Sequence, residues 1–503
     1  MNRFARHEDG YVLVLLLLML PVLALMALLV IDISRGNAAQ SDLVAAADAF
    51  ALTAAQELDG LPDAITRAET AMAALENPVD FLDSAPGAAR QVLAGTAAAG
   101  VVATFLTAIP ASDNLPIDAD WVAAHATRNG ALARYVQVVV TPPSGFLPFF
   151  NLPVVGSGGA MELRATAVAG PVTTACGVTP IFICNPYENA TETLEAAYAA
   201  GALHARLLRL KPLSGVAERP GNFGFMPIPD APDLSTASRK AMANVIAGAP
   251  SKSCVSSASV TTLGDAVNIA DAQDTIFDFY VSRYGGTAAL YPPAQNVRKG
   301  WIPKAPKKPD YCKIEPSDPA LRYAWGFPEN TAMLPLPGGA SGALMGQGGW
   351  DIAGYWQVNF GGALSAATRA AISRFAVTGP DGMVLPARYD VYRYEIAQGL
   401  VGTFSQGGPG SSGQNRESGL PLCAMGQGVL PVTSYDKRVV FAAVIDCLAH
   451  PASIQPRPVR AFASLFLTTP MDYSPDKRAL MDVEIVDLTG QTARTTRSAR
   501  LVR

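Results

Sequence analysis

Residues 8–36 read EDGYVLVLLLLMLPVLALMALLVIDISRG, and no charged side chain falls between Asp9 and Asp32. As a helix, residues 10–31 extend about 33 Å, enough to cross a hydrocarbon core of about 30 Å. A cleavable signal peptide carries an apolar run of only about 7–15 residues before a small-residue cleavage site. The run here is longer, and the nearest candidate site, Asn37-Ala38-Ala39, lies beyond Asp32 and Arg35. The stretch therefore reads as a retained transmembrane helix over 11–31. Arg3 and Arg6 precede it, which places residues 1–10 in the cytoplasm and Asp32 onward outside. Pro21 in mid-span kinks such a helix without forbidding it.

Composition bounds the remainder. A chain of 503 residues with 50% hydrophobic and 16% charged residues is compatible with a large folded ectodomain. A net charge of −4 excludes a strongly basic nucleic-acid binder. The 6 cysteines, Cys176, Cys184, Cys254, Cys312, Cys423 and Cys447, all follow the span. An even count in an extracytoplasmic region points to disulfides. Pairing in chain order, 176–184, 254–312 and 423–447, is the expected connectivity. No C-x-x-C occurs, so neither a zinc ribbon nor a thioredoxin-like site is indicated.

Beyond the span, QSDLVAAADAFALTAAQELDG (residues 40–60) is rich in alanine, the best helix former. Leu43, Ala47, Phe50, Ala54 and Leu58 recur on one helical stripe. Two destinations suit it: the protein's own ectodomain, or partner helices in an assembly. On the second reading Leu43, Ala47, Phe50 and Ala54 are partner-contact residues, and charge at Ala47 and Phe50 weakens assembly without unfolding the ectodomain.

The whole stretch from Asp9 to Gln56 resembles the N-terminal module of TadG-like Flp pilus-assembly proteins. Gly10, Pro21, Asp32, Leu43, Ala45, Ala47, Asp48, Ala49, Ala51 and Leu52 fill the family pattern. Val44 and Phe50 replace its usual Gln and Ala, which leaves the helix intact and makes its seam bulkier. CGVTPIFICNP, RPGNFGFM and RVVFAAVIDC echo the disulfide-bearing ectodomain of longer members. Prepilin-type peptidases cut after a Gly and usually meet a Glu at the fifth mature position; here Gly10 is followed at that position by Leu15. The layout is pilin-like, and the chain is not read as a pilin. The resemblance implies a non-catalytic assembly component of a tight-adherence pilus, in adhesion and biofilm growth. Its partners would be other pilus-assembly proteins or pilin-like subunits. It implies a single-pass protein of the bacterial inner membrane with a periplasmic ectodomain. The competing reading is a secreted or surface adhesin whose Gly-rich tips, such as residues 407–413, bind a surface.

The expected fold is α+β. Its divisions are a stub (1–10), the span (11–31), an Ala-rich stalk helix (32–60), a TadG-like α/β region (61–172), a β-rich disulfide-bearing ectodomain (173–490) and a basic tail (491–503). Residues 62–108 look mostly helical. ARYVQVVVT (133–141) and MELRATAVAG (161–170) read as strands that pair across the Pro- and Phe-rich loop 142–153. Residues 192–210, ETLEAAYAAGALHARLLRL, read as a helix. RVVFAAVIDC (438–447) reads as a central strand and VRAFASLFLTTP (459–470) as another. MDVEIVDLTG (481–490) alternates Met481, Val483 and Ile485 against Asp482, Glu484 and Asp487. Gly clusters between Gly326 and Gly428 mark long loops.

Catalytic chemistry is scarcely represented. The 4 histidines are His7, His125, His204 and His450, and no H-E-x-x-H, G-x-S-x-G, Walker-A or G-x-G-x-x-G motif occurs. His204 reads as a surface residue. Asp271, Asp274 and Asp278, with Asp265 nearby, would share a helix face, without EF-hand spacing. DISRG (32–36) matches only half of a von Willebrand A metal motif. No catalytic, cofactor or metal residue is assigned, and neither nucleic acid nor a small-molecule substrate is expected. Arg494, Arg497, Arg500 and Arg503 make a basic tail, read as solvated.

Overall fold

Unbroken apolar and alanine-rich sequence gives one unbroken helix, α1 (Asp9–Gln56), with Pro21 inside it. The structure, a computed structural model, describes residues 9–80, 90–110, 115–143, 146, 162–213, 218–229, 231–233, 235–249, 254–258, 260–263, 269–299, 312, 326–337, 342–406, 417–433, 436–453, 455–473, 479–488 and 495–502. The chain divides into two compact units, residues 1–172 with 497–503, and residues 173–496. The fold class is α+β, with an N-terminal apolar helix and a strand-rich remainder.

In the first unit α1 ends at Gln56, and the left-handed Gly60 (φ 82°) lies in the turn that leads to the next helix. Arg67, on α2 (Ala64–Ala73), clamps this turn by pairing with Glu57, Asp59 and Asp63. The antiparallel hairpin β1 (Glu76–Asp80) and β2 (Arg90–Ala94) follows, then β3 (Val101–Leu106), α3 (Ala119–His125), β4 (Tyr135–Val140) and β5 (Ala165–Cys176). The C-terminal β16 (Thr495–Leu501) completes a sheet of order β16-β5-β4-β3. β4 and β5 pair antiparallel, Val138 opposite Ala167, as the sequence leads one to expect. Residues 62–108, expected to be mostly helical, instead supply three strands, because β-branched runs such as VVATF outweigh the surrounding alanines. Gly100 (φ 78°) has to be glycine: a Cβ there would lie 1.9 Å from the Thr141 carbonyl oxygen. α1 packs on β4, β1 and α2, and its buried face joins Val79, Leu93, Val136, Val138 and Ala167 in one apolar core.

The second unit is organised by six strands that hydrogen-bond in a closed ring. They are β6 (Ile181–Cys184), β7 (Leu208–Pro212), β8 (Asn222–Phe225), β12 (Val439–Ile445), β13 (Ala461–Leu467) and β15 (Ala479–Leu488). The ring runs β7-β8-β6-β12-β13-β15 and returns to β7, with Asp482 opposite Arg209 at the closure. The two pairs β7–β8 and β6–β12 are parallel, the others antiparallel. A hairpin of β10 (Asn330–Pro335) and β11 (Leu344–Trp350) adds to β7, and β14 (Asp472–Tyr473) adds to β15. Alternate residues such as Ile183, Leu208, Phe223, Val444, Leu465 and Val483 share one core with α4 (Leu194–Ala199), α5 (Thr236–Ile246) and α6 (Ala270–Asp274). The helix expected over 192–210 is cut to α4, because Gly201 takes a left-handed turn (φ 73°) and LRLKP enters the ring as β7.

The outward face of β15 is polar, as its alternation requires, but it is not wet. Asp482 and Glu484 are each 2% exposed. Arg209 reaches Asp482 at 2.8 and 2.9 Å, and Arg388 reaches Glu484 at 2.6 Å. Arg388 opens α9 (Arg388–Ala397), which forms an aromatic layer with α7 (Ile352–Phe360) around Trp350, Tyr355 and Phe466; α8 (Ala366–Ile372) precedes α9.

The six cysteines form three disulfides, all within the second unit, and their pairing corrects the in-order expectation. Cys176 bonds Cys254, Cys184 bonds Cys447, and Cys312 bonds Cys423. Topology is the reason. Cys176 lies opposite Cys254 where β9 (Cys254–Ser256) pairs with β5. Cys184 and Cys447 end and follow the adjacent parallel strands β6 and β12. Cys423 sits on α10 (Leu422–Gly426), held beside the segment carrying Cys312.

Candidate membrane anchor and interaction face

The exposure of α1 changes character along its length. From Leu13 to Ile31 every side chain is exposed, including Leu17 (68%) and Val30 (65%). This helix is long and apolar enough to cross a membrane, with an 18-residue window of mean hydropathy 3.2. Asp32 breaks the pattern abruptly at 6% exposure, paired with Arg35 at 3.4 Å. From there burial follows helical spacing: Ala39, Leu43, Ala46, Ala47, Phe50, Ala51, Ala54, Ala55 and Leu58 are all buried. The opposite face, with Ser34, Asn37, Ser41, Val44 and Ala45, is exposed.

Leu43, Ala47, Phe50 and Ala54 are thus fully buried against the sheet of their own unit. Of the two destinations open to this stripe, the protein's own domain is the one seen here, where small side chains let β4 approach closely. Residues 39–56 of α1 are correspondingly the core helix of the first unit and not a free stalk. Asp48 lies at the edge of the buried face, and its carboxyl is pushed up by burial.

The other singled-out residues take structural roles. Among the described residues, no group of three His, Cys, Asp or Glu is placed to hold a metal ion. His125 stacks on Trp121 at 4.0 Å. His204 is not simply a surface residue: its Nε2 lies 2.8 Å from the Leu385 carbonyl, and its ring meets the edge of Phe375. The His450 imidazole is held below its ordinary value by burial, partly offset by Asp446. Asp271, Asp274 and Asp278 do not share a helix face. α6 ends at Asp274, and Asp278 follows a 3-10 turn in a left-handed conformation. The Asp278 carboxylate accepts the Cys423 and Ala424 N–H groups at 2.7 and 2.9 Å. Burial pushes its pKa up to about 6, against the pull of Lys299 and those two N–H groups. Asp265, His7 and residues 407–413 lie outside the described residues. The basic tail, expected to be solvated, forms β16, with Val502 N–H donating to Val168 O and the Ser498 hydroxyl to Val172 O. Ala499 and Leu501 supply the reason by packing on the core of the first unit, while Arg500 stays exposed.

One enclosed polar cluster among the described residues leaves no trace in the sequence. Glu395, 0% exposed, accepts from the Tyr355 hydroxyl and the Asn296 amide, both at 2.5 Å, with Arg298 beside it at 3.6 Å. Burial raises the Tyr355 hydroxyl well above its ordinary range, and the Glu395 charge adds to this. These groups come from positions 40 to 99 residues apart and carry no local motif. All four side chains are enclosed, with exposures from 0% for Glu395 to 4% for Tyr355.

Residues 10–57 match the family described as "Putative Flp pilus-assembly TadE/G-like". No curated protein and no solved structure matches the chain. The matched segment is α1 with its first following residue, so the family signature coincides with the helix that is first exposed and apolar and then buried.

Proposed function

We propose that this protein is a non-catalytic, membrane-anchored scaffold of a Flp-type pilus system, acting through protein contacts. The observation that carries the reading is the coincidence of the TadE/G-like match over 10–57 with a helix whose apolar half is wholly exposed. Arg3 and Arg6 favour a cytoplasmic N-terminus in the bacterial inner membrane, with both units in the periplasm. Three disulfides suit that oxidising compartment.

Because the buried stripe serves the fold, the partner face moves to the other side of α1. Asn37, Ser41, Val44 and Ala45 are exposed on the part of the helix that follows the span, and Val44 is the largest apolar side chain of these four. Other pilus-assembly proteins or pilin-like subunits are the partners this face suits. Exchanging residues 11–31 for an unrelated apolar span of equal length should preserve piliation in a deletion strain. Exchanging the outward residues Asn37, Ser41, Val44 and Ala45 for charged ones should abolish it while the protein accumulates normally. Normal pili after the second exchange would overturn the scaffold reading.

A further inference from the structure

We infer that the body of the first unit rests directly on the lipid headgroups of the membrane that α1 crosses, with Phe146 and the Asp32–Arg35 pair inside the headgroup layer. The inference rests on the anchor reading and goes beyond it, since an anchor by itself permits a domain held well above the bilayer.

The burial profile supports this. Lipid-facing exposure runs without a break through Ile31, and the next residue, Asp32, is already covered. Asp32 lies seven residues before Ala39, on the same helical face as the buried stripe, so protein covers this face immediately after the span. No uncovered spacer separates the two.

Height along the helix agrees with this. At about 1.5 Å per residue, Arg35 and Gly36 stand about 6–8 Å above Ile31. The interfacial layer of one leaflet is about 5–8 Å deep, half the difference between the total and the hydrocarbon thickness. At this level the described residue Phe146, from the connection between β4 and β5, meets the helix. Its ring lies 5.4 Å from the Arg35 guanidinium carbon, and a Cβ on Gly36 would lie 3.6 Å from the same ring. Gln40, one turn higher, donates to the Arg164 carbonyl at 3.1 Å and fixes the start of β5 against α1. The lower rim of the sheet is therefore tied to the helix from Arg35 to Gln40. Phe146 is itself only 3% exposed, so protein already covers the helix at this level.

The test uses the full chain in vesicles of phosphatidylcholine with phosphatidylglycerol. A small fluorescent amino acid replaces, one at a time, Met19 in mid-span, the exposed Pro143 beside Phe146, or Leu132 before the far end of β4. Nitroxide lipids labelled at the headgroup or in mid-chain act as quenchers. The expected result is mid-chain quenching at Met19, headgroup quenching at Pro143 at least about twofold above mid-chain quenching, and neither at Leu132. Quenching at Met19 with none at Pro143 would overturn the inference and leave the anchor standing. Absence of quenching at Met19 would remove the anchor reading, and this inference with it.

Discussion

The two units solve the problem of a core in opposite ways. The first lays one long helix on a thin antiparallel sheet, fills the gap with alanine and valine, and contains no disulfide. The second closes six strands into a ring, buries whole ion pairs outside it and carries all three disulfides. One core depends on periodic spacing within a single helix, so a single wrong side chain there has no substitute. The other depends on registers between distant segments, where polar pairs and covalent links specify which strand meets which.

The sharpest break in that comparison is Phe50→Ala. The side chain is fully buried, and such truncations cost about 3–5 kcal/mol. The full chain in detergent should lose protease resistance in residues 32–172 while the calorimetric transition of the second unit stays in place. A simultaneous loss of both would show that the units do not fold separately.

Arg388→Met is the matching break in the second unit. It strands Glu484, which accepts from both Arg388 and the Tyr389 N–H in a fully buried setting. Removing one member of such a pair costs about 3–5 kcal/mol, and Arg388→Met with Glu484→Leu should recover most of it. Equal destabilisation by single and double variants in urea melts would contradict the pairing.

Acidity provides a smaller perturbation confined to the second unit. Asp278 has a folded pKa of about 6, above its ordinary 3.8, so the folded state holds this proton more tightly than the unfolded chain. Its contribution to stability is therefore greatest below about pH 4 and is lost as pH rises through about 6, by about 3 kcal/mol at most. The second unit should melt higher at pH 5 than at pH 7, and Asp278→Asn should flatten that difference. An unchanged pH profile in the variant would remove Asp278 as its source.

The same contrast explains what the sequence disclosed. α1, β4, β12 and β13 were legible because long apolar or β-branched runs state their own conformation. The hairpin β1–β2 and the strand β3 were not, since alanine-rich flanks favour helix until tertiary packing decides. Alternation placed Asp482 and Glu484 on one face, but it says nothing of the helical layer that covers that face. The disulfides and the β7–β15 closure join residues from 78 to more than 260 positions apart, with no local trace. On α1 the stripe was visible and its owner was not: spacing identifies a face, while the sheet that occupies it is assembled from four later segments.

The smallest expected change in stability accompanies the most informative test. Val44→Arg and Ala47→Arg place the same charge three residues apart on one helix, on its exposed and buried sides. Folded protein in membranes and pili per cell would be measured for each. The account predicts that Val44→Arg, within about 0.5 kcal/mol of the parent, keeps the folded protein and loses the pili. It predicts that Ala47→Arg loses the folded first unit. Normal piliation with Val44→Arg, or a folded Ala47→Arg protein that fails only in assembly, would contradict it.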